Sequence, residues 1–301
     1  MFELYQLRYF LSVVETGSFT KAAERCFVTQ PTLSAGIQKL ETALGVQLFN
    51  RSNRRVYLTE PGARFVERAK AILHQCNLAE RELTEARAPK VVRLGVLMTI
   101  PAAIVARLAG GFRQAEADAV IELYEGTEQE ILNRLDSGGV DVALTLLRGA
   151  AVDGRAHAPP PVELFEEGYV LAVSRHHPAA RLAEVDGRIL ADAPTIVRTR
   201  CEILPETSRY FTDQNVRPRL VYRTPQDERA LLMVAAGLGF TTLPESYCHP
   251  DVAKVRLIGY DFRRRVGLLM GDPHWNRDSR AIIDRFVAFA QSLPWREGDL
   301  I

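Results

Sequence analysis

Apolar side chains recur at helical spacing near the start of the chain. Steps of four, three and four place one group on a single face of a helix, and its members are Leu33, Ile37, Leu40 and Leu44. Pro31 suits the first turn of this helix, and Gly45 suits its end. Thr20 can cap a shorter helix before it, and the apolar face of residues 4–14 predicts another. The pattern therefore predicts three packed helices, the last two joined by a tight turn at 28–30.

The segment 61–88 is polar overall but carries one apolar seam. Its members recur at alternating steps of four and three, which is the heptad pattern of packed helices; they are Phe65, Ala69, Ile72, Cys76, Ala79 and Leu83. A long polar helix cannot bury such a seam alone, so the seam predicts a partner helix. Pro89 then breaks the helix.

From residue 91 the pattern changes to alternating strands and helices. Strands are predicted at 91–97, 119–126 and 140–147, with helices at 100–117 and 128–138 between them. Repeated β-α-β units imply a parallel sheet with ligand chemistry at the carboxyl ends of its strands. The segment 162–178 predicts a crossing into a second subdomain, and the segment 254–272 predicts the return.

The exposed face of the predicted helix after Pro31 carries short polar side chains, which can hydrogen-bond base edges and phosphates in a major groove. A basic hairpin follows. The residues predicted to contact DNA are Thr20, Gln30, Pro31, Thr32, Ser34 and Gln38 in the helical part, and Arg51, Arg54 and Arg55 in the hairpin. Phosphate contacts position a protein while base contacts specify sequence, so the hairpin arginines should set affinity more than site choice.

Two stretches resemble one protein family. The run QPTLSAGIQKLETALGVQLFNRSNRRVYLTEPG, residues 30–62, resembles the amino-terminal winged helix-turn-helix of LysR-type bacterial transcriptional regulators. The tract MVAAGLGFTTLPES, residues 233–246, is similar to part of the effector domain of that family. Ala35 and Gly36 depart from the pattern, because many relatives carry a polar or basic residue there. A small pair could let the backbone approach DNA closely.

The resemblance implies an α/β protein in three parts. Residues 1–60 form the winged helix-turn-helix, residues 61–88 a linker helix that pairs with that of a second subunit, and residues 91–301 a two-lobed effector domain of the periplasmic-binding-protein type (type 2). Lobe I takes about 91–163 and 266–301, and lobe II about 164–265. The implied partners are promoter DNA, a small-molecule effector, further copies of the chain in a dimer and a tetramer, and RNA polymerase.

The resemblance also places the effector between the lobes. The corresponding positions here are Thr99, Ile100, Thr127, Thr145, Arg198, Thr199, Arg200, Cys201 and Thr224. Hydroxyls and helix N-termini suit an anion, and Arg198 or Arg200 could hold a carboxylate in a bidentate pair. We therefore expect a small anionic metabolite, although threonine also caps helices in structural loops.

Composition adds little to this picture and excludes some classes of protein. The 301 residues are 47% hydrophobic and 25% charged, which suits two or three globular domains. Residues 1–88 hold twelve Lys/Arg against nine Asp/Glu, so the small positive excess lies at the DNA-binding end. No early basic run with a cleavage site is present, and no apolar stretch approaches the ~20 residues that span a bilayer. A cytoplasmic protein without a membrane partner is expected.

Cysteine usage leaves one alternative open. Cys26, Cys76, Cys201 and Cys248 form no CxxC pair, so neither a zinc site nor a cofactor is expected. Cys201 lies at a position similar to that of a peroxide-reactive cysteine in some members of the family, and flanking arginines would favour its thiolate. No second cysteine follows in the next predicted helix, so lining of the effector pocket is the preferred interpretation and a thiol-based oxidative-stress regulator is the alternative.

A rival of another class is a solute-binding protein or an enzyme built on the α/β lobes. No export signal and no nucleophile–base constellation supports it. The loop histidines have neither metal nor triad spacing; they are His157, His176, His177, His249 and His274. DNA binding in a gel-shift assay separates the regulator from this rival.

Overall fold

The computed structural model describes residues 2–51, 56–84, 90–149, 159–272 and 279–295. The chain divides into two compact units, residues 1–88 and 89–301. No helix in the described ranges is long and apolar enough to cross a membrane.

The first unit contains the three predicted helices, a hairpin and a long helix. These elements are α1 Leu4–Thr16, α2 Phe19–Arg25, α3 Gln30–Leu44, β1 Phe49–Arg51, β2 Val56–Leu58 and α4 Glu60–Thr84. Leu33, Ile37 and Leu40 have no exposed surface and pack with Leu7 and Phe10 of α1, which confirms the predicted stripe. The order of α2, turn and α3 is that of a helix-turn-helix.

Side-chain caps fix the ends of α2 and α3. The Ser18 hydroxyl accepts a hydrogen bond from the Lys21 N–H at 3.4 Å, so the prediction that Thr20 caps α2 is wrong. Thr20 lies two residues after this cap, inside the helix, with its side chain exposed. Thr29 caps α3, and Gly45 ends α3 with a φ of 71° that glycine adopts without strain.

Gly36 has a packing role inside the first unit. It is buried in α3, and a Cβ atom there would lie 2.7 Å from Cδ2 of Tyr9 on α1. The expectation that Ala35 and Gly36 together let DNA approach is therefore wrong for Gly36, because α1 occupies that side of the helix. Ala35 is exposed on the other side.

The first half of the predicted dimer seam packs inside its own chain. Ala69 has no exposed surface, so its assignment to a subunit interface is wrong. Phe65 and Ile72 pack against the same core, where the ring of Phe65 lies 5.5 Å from that of Phe10. A heptad stripe looks the same whether α1 or a second subunit covers it. The place of Cys76 in a dimer interface stays a prediction. The side chains of Ala79 and Leu83 lie outside those that the structure describes.

The second unit is α/β, as predicted. Its strands are β3 Lys90–Leu97, β4 Ala119–Gly126, β5 Val142–Leu146, β6 Val162–Ser174, β7 Glu184–Val185, β8 Pro194–Arg198, β9 Arg219–Thr224, β10 Thr241–Pro244, β11 Val252–Leu257 and β12 Arg263–Met270. Its α-helices are α5 Ala102–Ala115, α6 Glu128–Asp136, α7 Leu204–Asp213, α8 Asp227–Ala235 and α9 Arg280–Ser292.

One curved sheet runs through both lobes of this unit. Its order is β4-β3-β5-β12-β6-β11-β7, with β10 also paired to β6, while β8 and β9 form a separate parallel pair. β3 is parallel to β4 and β5, as the β-α-β pattern predicts. Residues 162–168 of β6 pair with β12, and residues 169–174 pair with β10 and β11. The predicted crossing and return are therefore confirmed in β6 and in the passage from β11 to β12.

Candidate functional site

The outward face of α3 presents the side chains predicted to contact DNA. Gln30, Pro31, Thr32 and Gln38 are exposed, and Ser34 is half-buried. The hydroxyl of Thr32 lies 2.7 Å from that of Thr29, so the cap also orients one of the predicted contacts. Amide and hydroxyl groups of this kind can donate to and accept from base edges.

A carboxylate ties the hairpin to α3. Glu41 Oε1 accepts hydrogen bonds from the Leu48 N–H at 2.7 Å and the Phe49 N–H at 3.2 Å, which holds the start of β1 against the helix. Arg51 lies in β1, but its side chain is outside those described, as are all of Arg54 and Arg55. The roles of these three arginines stay predictions.

In the second unit, a buried arginine lies between the lobes. Arg264 stands opposite Glu167 in the pairing of β12 with β6, and its Nε donates to Glu167 Oε1 at 2.8 Å. Its Nη1 donates to Glu202 Oε1 at 2.6 Å and to the Thr99 carbonyl at 3.0 Å. Thr99 follows β3 in lobe I and Glu202 follows β8 in lobe II, so one guanidinium binds both lobes.

Glu202 is an internal carboxylate between two guanidinium groups. Besides Arg264, it accepts from the Tyr169 hydroxyl at 2.8 Å, and its Oε2 lies 3.8 Å from Nη2 of Arg198. Burial raises the pKa of this carboxyl, but Arg264, Arg198 and the hydrogen bonds that the carboxylate accepts together outweigh burial, and the net shift is downward. Glu202 is therefore an anion inside the cleft.

Arg198 is committed to its own chain. Its side chain is 2% exposed, with Nη2 donating to Asp227 Oδ2 at 2.8 Å and Nη1 to the Thr242 carbonyl at 2.8 Å. The prediction that Arg198 clamps an effector carboxylate is wrong, because a buried guanidinium needs compensating anions and Asp227 already supplies one. Arg200 is exposed, and its role in holding an effector carboxylate stays a prediction.

A helix N-terminus in the cleft is also occupied. Glu228, on α8 of lobe II, accepts a hydrogen bond from the Ala102 N–H at 2.9 Å, at the start of α5 in lobe I. Negative charge is favoured at such an end. The protein's own carboxylates thus fill both kinds of anion position that the prediction gave to an effector.

Three other predicted effector residues have structural roles. The Thr127 hydroxyl caps α6 by accepting from the Glu130 N–H at 3.4 Å, and Glu130 returns a bond to the Thr127 N–H at 2.8 Å. The Thr224 hydroxyl accepts from the Gln226 N–H at 3.1 Å in the turn before α8. Ile100 packs into the core of lobe I. Thr199 is exposed, and its N–H donates to the carbonyl of Thr224.

Thr99 and Thr145 remain the strongest effector candidates of lobe I. Both are buried, and neither Oγ1 has a hydrogen-bond partner within the described residues. Leaving a buried hydroxyl unpaired costs about 1–3 kcal/mol, so a polar group from outside the chain would stabilise both.

The thiol of Cys201 is held in its neutral form. Burial raises the pKa of this thiol by more than the nearby Arg198 lowers it. The expectation that flanking arginines favour the thiolate is therefore wrong, and the chemistry of a reactive cysteine is disfavoured.

Sequence reasoning missed the acidic partners and Arg264. Alternation in β12 carried one usable signal, because Arg264 shares a face with Val266 and Leu268, which are fully buried. No comparable signal singles out Glu167, Glu202 or Asp227, whose burial depends on segments far away in the chain.

Comparison with known proteins matches both units. A family model described as a bacterial regulatory helix-turn-helix protein of the lysR family matches residues 4–63, and one described as a LysR substrate binding domain matches residues 86–291. The chain is 32% identical over 254 residues to the Hca operon transcriptional activator HcaR of Escherichia coli, covering 80% of this chain and 81% of that one.

Two further comparisons bear on the alternatives. The dual regulator OxyR of Escherichia coli is 28% identical over 273 residues, with 87% of each chain covered. Full-length CbnR, solved in complex with its target DNA, shares the fold with a TM-score of 0.56 and 24% identity, covering 96% of this chain and 99% of that one.

Proposed function

This chain belongs to the LysR family of bacterial transcriptional regulators, and from that premise we propose that α3 reads promoter DNA while a small molecule bound between the lobes alters transcription. The observation that carries the first part is the exposed polar face of α3, with Gln30, Thr32 and Gln38 outward. Leu33, Ile37 and Leu40 of the apolar stripe are fully buried beneath it. A ligand alters the protein only if it binds one arrangement of the lobes better than another.

DNA reading is tested by fluorescence anisotropy with the intergenic duplex beside the protein's own gene. Gln38→Ala should weaken binding by about 1–3 kcal/mol, because it removes a side chain that can bond a base edge. Gln114→Ala, which removes the same amide from the exposed face of α5, is the matched control and should bind as the wild type does. Equal binding of intergenic and random duplexes by the wild type would refute the proposal.

The proposed effector is a small polar molecule that hydrogen-bonds Thr99 and Thr145. The buried network does not favour an anion, because Glu167, Glu202 and Asp227 outnumber Arg198 and Arg264. The case for an anion now rests on Arg200. Products of genes transcribed divergently from this one can be screened by the shift they cause in melting temperature, and Thr99→Val and Thr145→Val should each reduce the shift given by a true effector.

We propose the remaining organisation from the family. Residues 1–60 bind DNA, 61–88 link two subunits, and 91–301 sense the effector, with lobe I at about 91–163 and 266–301 and lobe II at about 164–265. Two dimers form a tetramer that acts on RNA polymerase in the cytoplasm. Light scattering on the full chain tests the assembly, and oxidative cross-linking through Cys76 tests the seam, since only a Cys76 facing a second copy would cross-link.

The oxidative-stress alternative is not favoured by the neutral thiol of Cys201. If peroxide changed DNA binding by the wild type but not by Cys201→Ser, a thiol-based oxidative-stress regulator would become the preferred interpretation over an effector-sensing one.

A further inference from the structure

A half-open cavity lies in lobe II, between α7 and the strand pair β8–β9. Its volume is about 260 Å³, and all of its wall comes from residues 195–242. Apolar side chains make up most of the wall; among them are Leu204, Phe211, Val216, Leu220 and Phe240. An apolar cavity of roughly 150 Å³ can already hold benzene, so this one admits a ring with a short substituent.

Three hydroxyl groups of the wall are already hydrogen-bonded within the lobe. Thr241 donates to the Ile196 carbonyl at 2.8 Å, and Thr212 donates to the Ser208 carbonyl at 2.8 Å. Thr207 bonds both the Ile203 carbonyl at 2.9 Å and the Tyr260 hydroxyl at 2.5 Å. These groups give an occupant little reason to be polar.

The wall has two charged residues, the exposed Arg223 and the buried Arg198. Arg198 supplies the donor that lacks a partner. Its side chain lines the cavity and is 2% exposed, and its Nε has no hydrogen-bond partner within the described parts of the chain. Its two terminal nitrogens are committed to Thr242 and Asp227. The cavity therefore offers a largely apolar lining and one unsatisfied N–H donor, which needs an acceptor.

Charge decides which acceptor fits. Asp227 at 2.8 Å and Glu202 at 3.8 Å already face the Arg198 guanidinium, so a carboxylate bound at Nε would be a third anion around that guanidinium, whereas Arg223 lies on the exposed part of the wall. A carbonyl oxygen satisfies Nε without that repulsion. We propose that this cavity is a second ligand site, separate from the cleft, which binds a small neutral carbonyl compound with an apolar body.

Arg198 connects this cavity to the cleft through a chain of contacts. Arg198 contacts Glu202, and Glu202 in turn accepts from Arg264, which holds the Thr99 carbonyl of lobe I. The wall also includes Cys201, whose half-buried thiol reports occupancy through its rate of reaction with a thiol reagent.

The experiment compares three probes on the full chain by calorimetry and by Cys201 labelling. Acetophenone has an apolar ring and one neutral acceptor, ethylbenzene lacks the acceptor, and benzoate is anionic. Acetophenone should bind about tenfold more tightly than ethylbenzene, the factor typical of one hydrogen bond, and should slow labelling of Cys201. Benzoate should bind more weakly than acetophenone.

Two variants locate the site. Ser208 and Arg209 are both exposed on α7, but only Ser208 lines the cavity. Ser208→Trp should block the cavity and abolish acetophenone binding without changing DNA affinity, while Arg209→Trp should retain both. Absence of acetophenone binding, equal binding of ethylbenzene, tighter binding of benzoate, or full binding by Ser208→Trp would each overturn the proposal. DNA binding is read out separately, so this failure would leave the proposed regulator function standing.

Discussion

On α3 the outward polar side chains are exposed and close to their own helix, whereas between the lobes the polar side chains are buried against distant segments. Thr32 bonds Thr29, three residues away, but Arg264 bonds Thr99 and Glu167, which are 165 and 97 residues away. The first arrangement leaves donors and acceptors available to a partner. The second uses them to hold the protein together, so a substitution there should change stability before it changes recognition.

The largest expected effect is that of Arg264→Ala. It leaves Glu167 and Glu202 buried without their main cation, which should lower the free energy of unfolding by about 3–5 kcal/mol. Urea unfolding of the full chain measures this. Arg263→Ala is the matched control, because Arg263 precedes Arg264 in β12 and its ion pair with Glu166 of β6, at 2.6 Å, is exposed. A loss of at most about 1 kcal/mol is expected. Equal losses of unfolding free energy in the two variants would contradict the contrast between buried and exposed ion pairs.

Gly36→Ala tests the inner side of α3. The new Cβ would meet the ring of Tyr9 at 2.7 Å, and relief requires that ring or α1 to shift, so we expect a loss of about 1–2 kcal/mol despite the better helix propensity of alanine. The exposed neighbour Ala35→Ser should leave the unfolding free energy within about 0.5 kcal/mol. A stable Gly36→Ala protein with altered operator choice would restore the DNA-approach hypothesis.

Thr145→Val should raise the stability of the ligand-free protein by about 1 kcal/mol, because it removes a buried hydroxyl without a partner among the described residues. Thr127→Val should have the opposite sign, since it removes the cap of α6 and costs about 1 kcal/mol. Thermal unfolding followed by circular dichroism compares them. A loss of stability in both would mean that Thr145 has a partner in solution.

The smallest expected effect is a change in how steeply the unfolding free energy depends on pH. The folded-state pKa of Glu202 lies below its unfolded value of 4.5, so its contribution is complete at neutral pH and is lost as the pH falls through the folded pKa. Glu202→Gln should therefore show a shallower fall in unfolding free energy than the wild type between about pH 5 and pH 3. An unchanged slope would mean that this carboxyl does not titrate with unfolding.

The burial of residues that follow a local helical or strand periodicity could be predicted from the sequence. The stripe of α3 and the β-α-β units need only nearby sequence, and Arg264 was accessible through strand alternation. The cap of α2 was misplaced because Ser18 and Thr20 are both good caps, and only backbone geometry chooses between them. The seam through Ala69 was misassigned because spacing does not say which helix covers it. Glu202 could not be predicted, since its partners come from three separate segments.

The thirteen-residue strand β6 passes from one lobe to the other without a loop, bonded first to β12 and then to β10 and β11. Relative movement of the lobes must therefore bend or twist this strand instead of turning about a flexible joint. The elastic cost of a small deflection grows with the square of its angle, so the differential binding energy of an effector sets how far the lobes travel. The stiffness of β6 then helps to determine how far an effector can move the lobes. Substitutions along β6 could alter the extent of that movement without contacting DNA or effector.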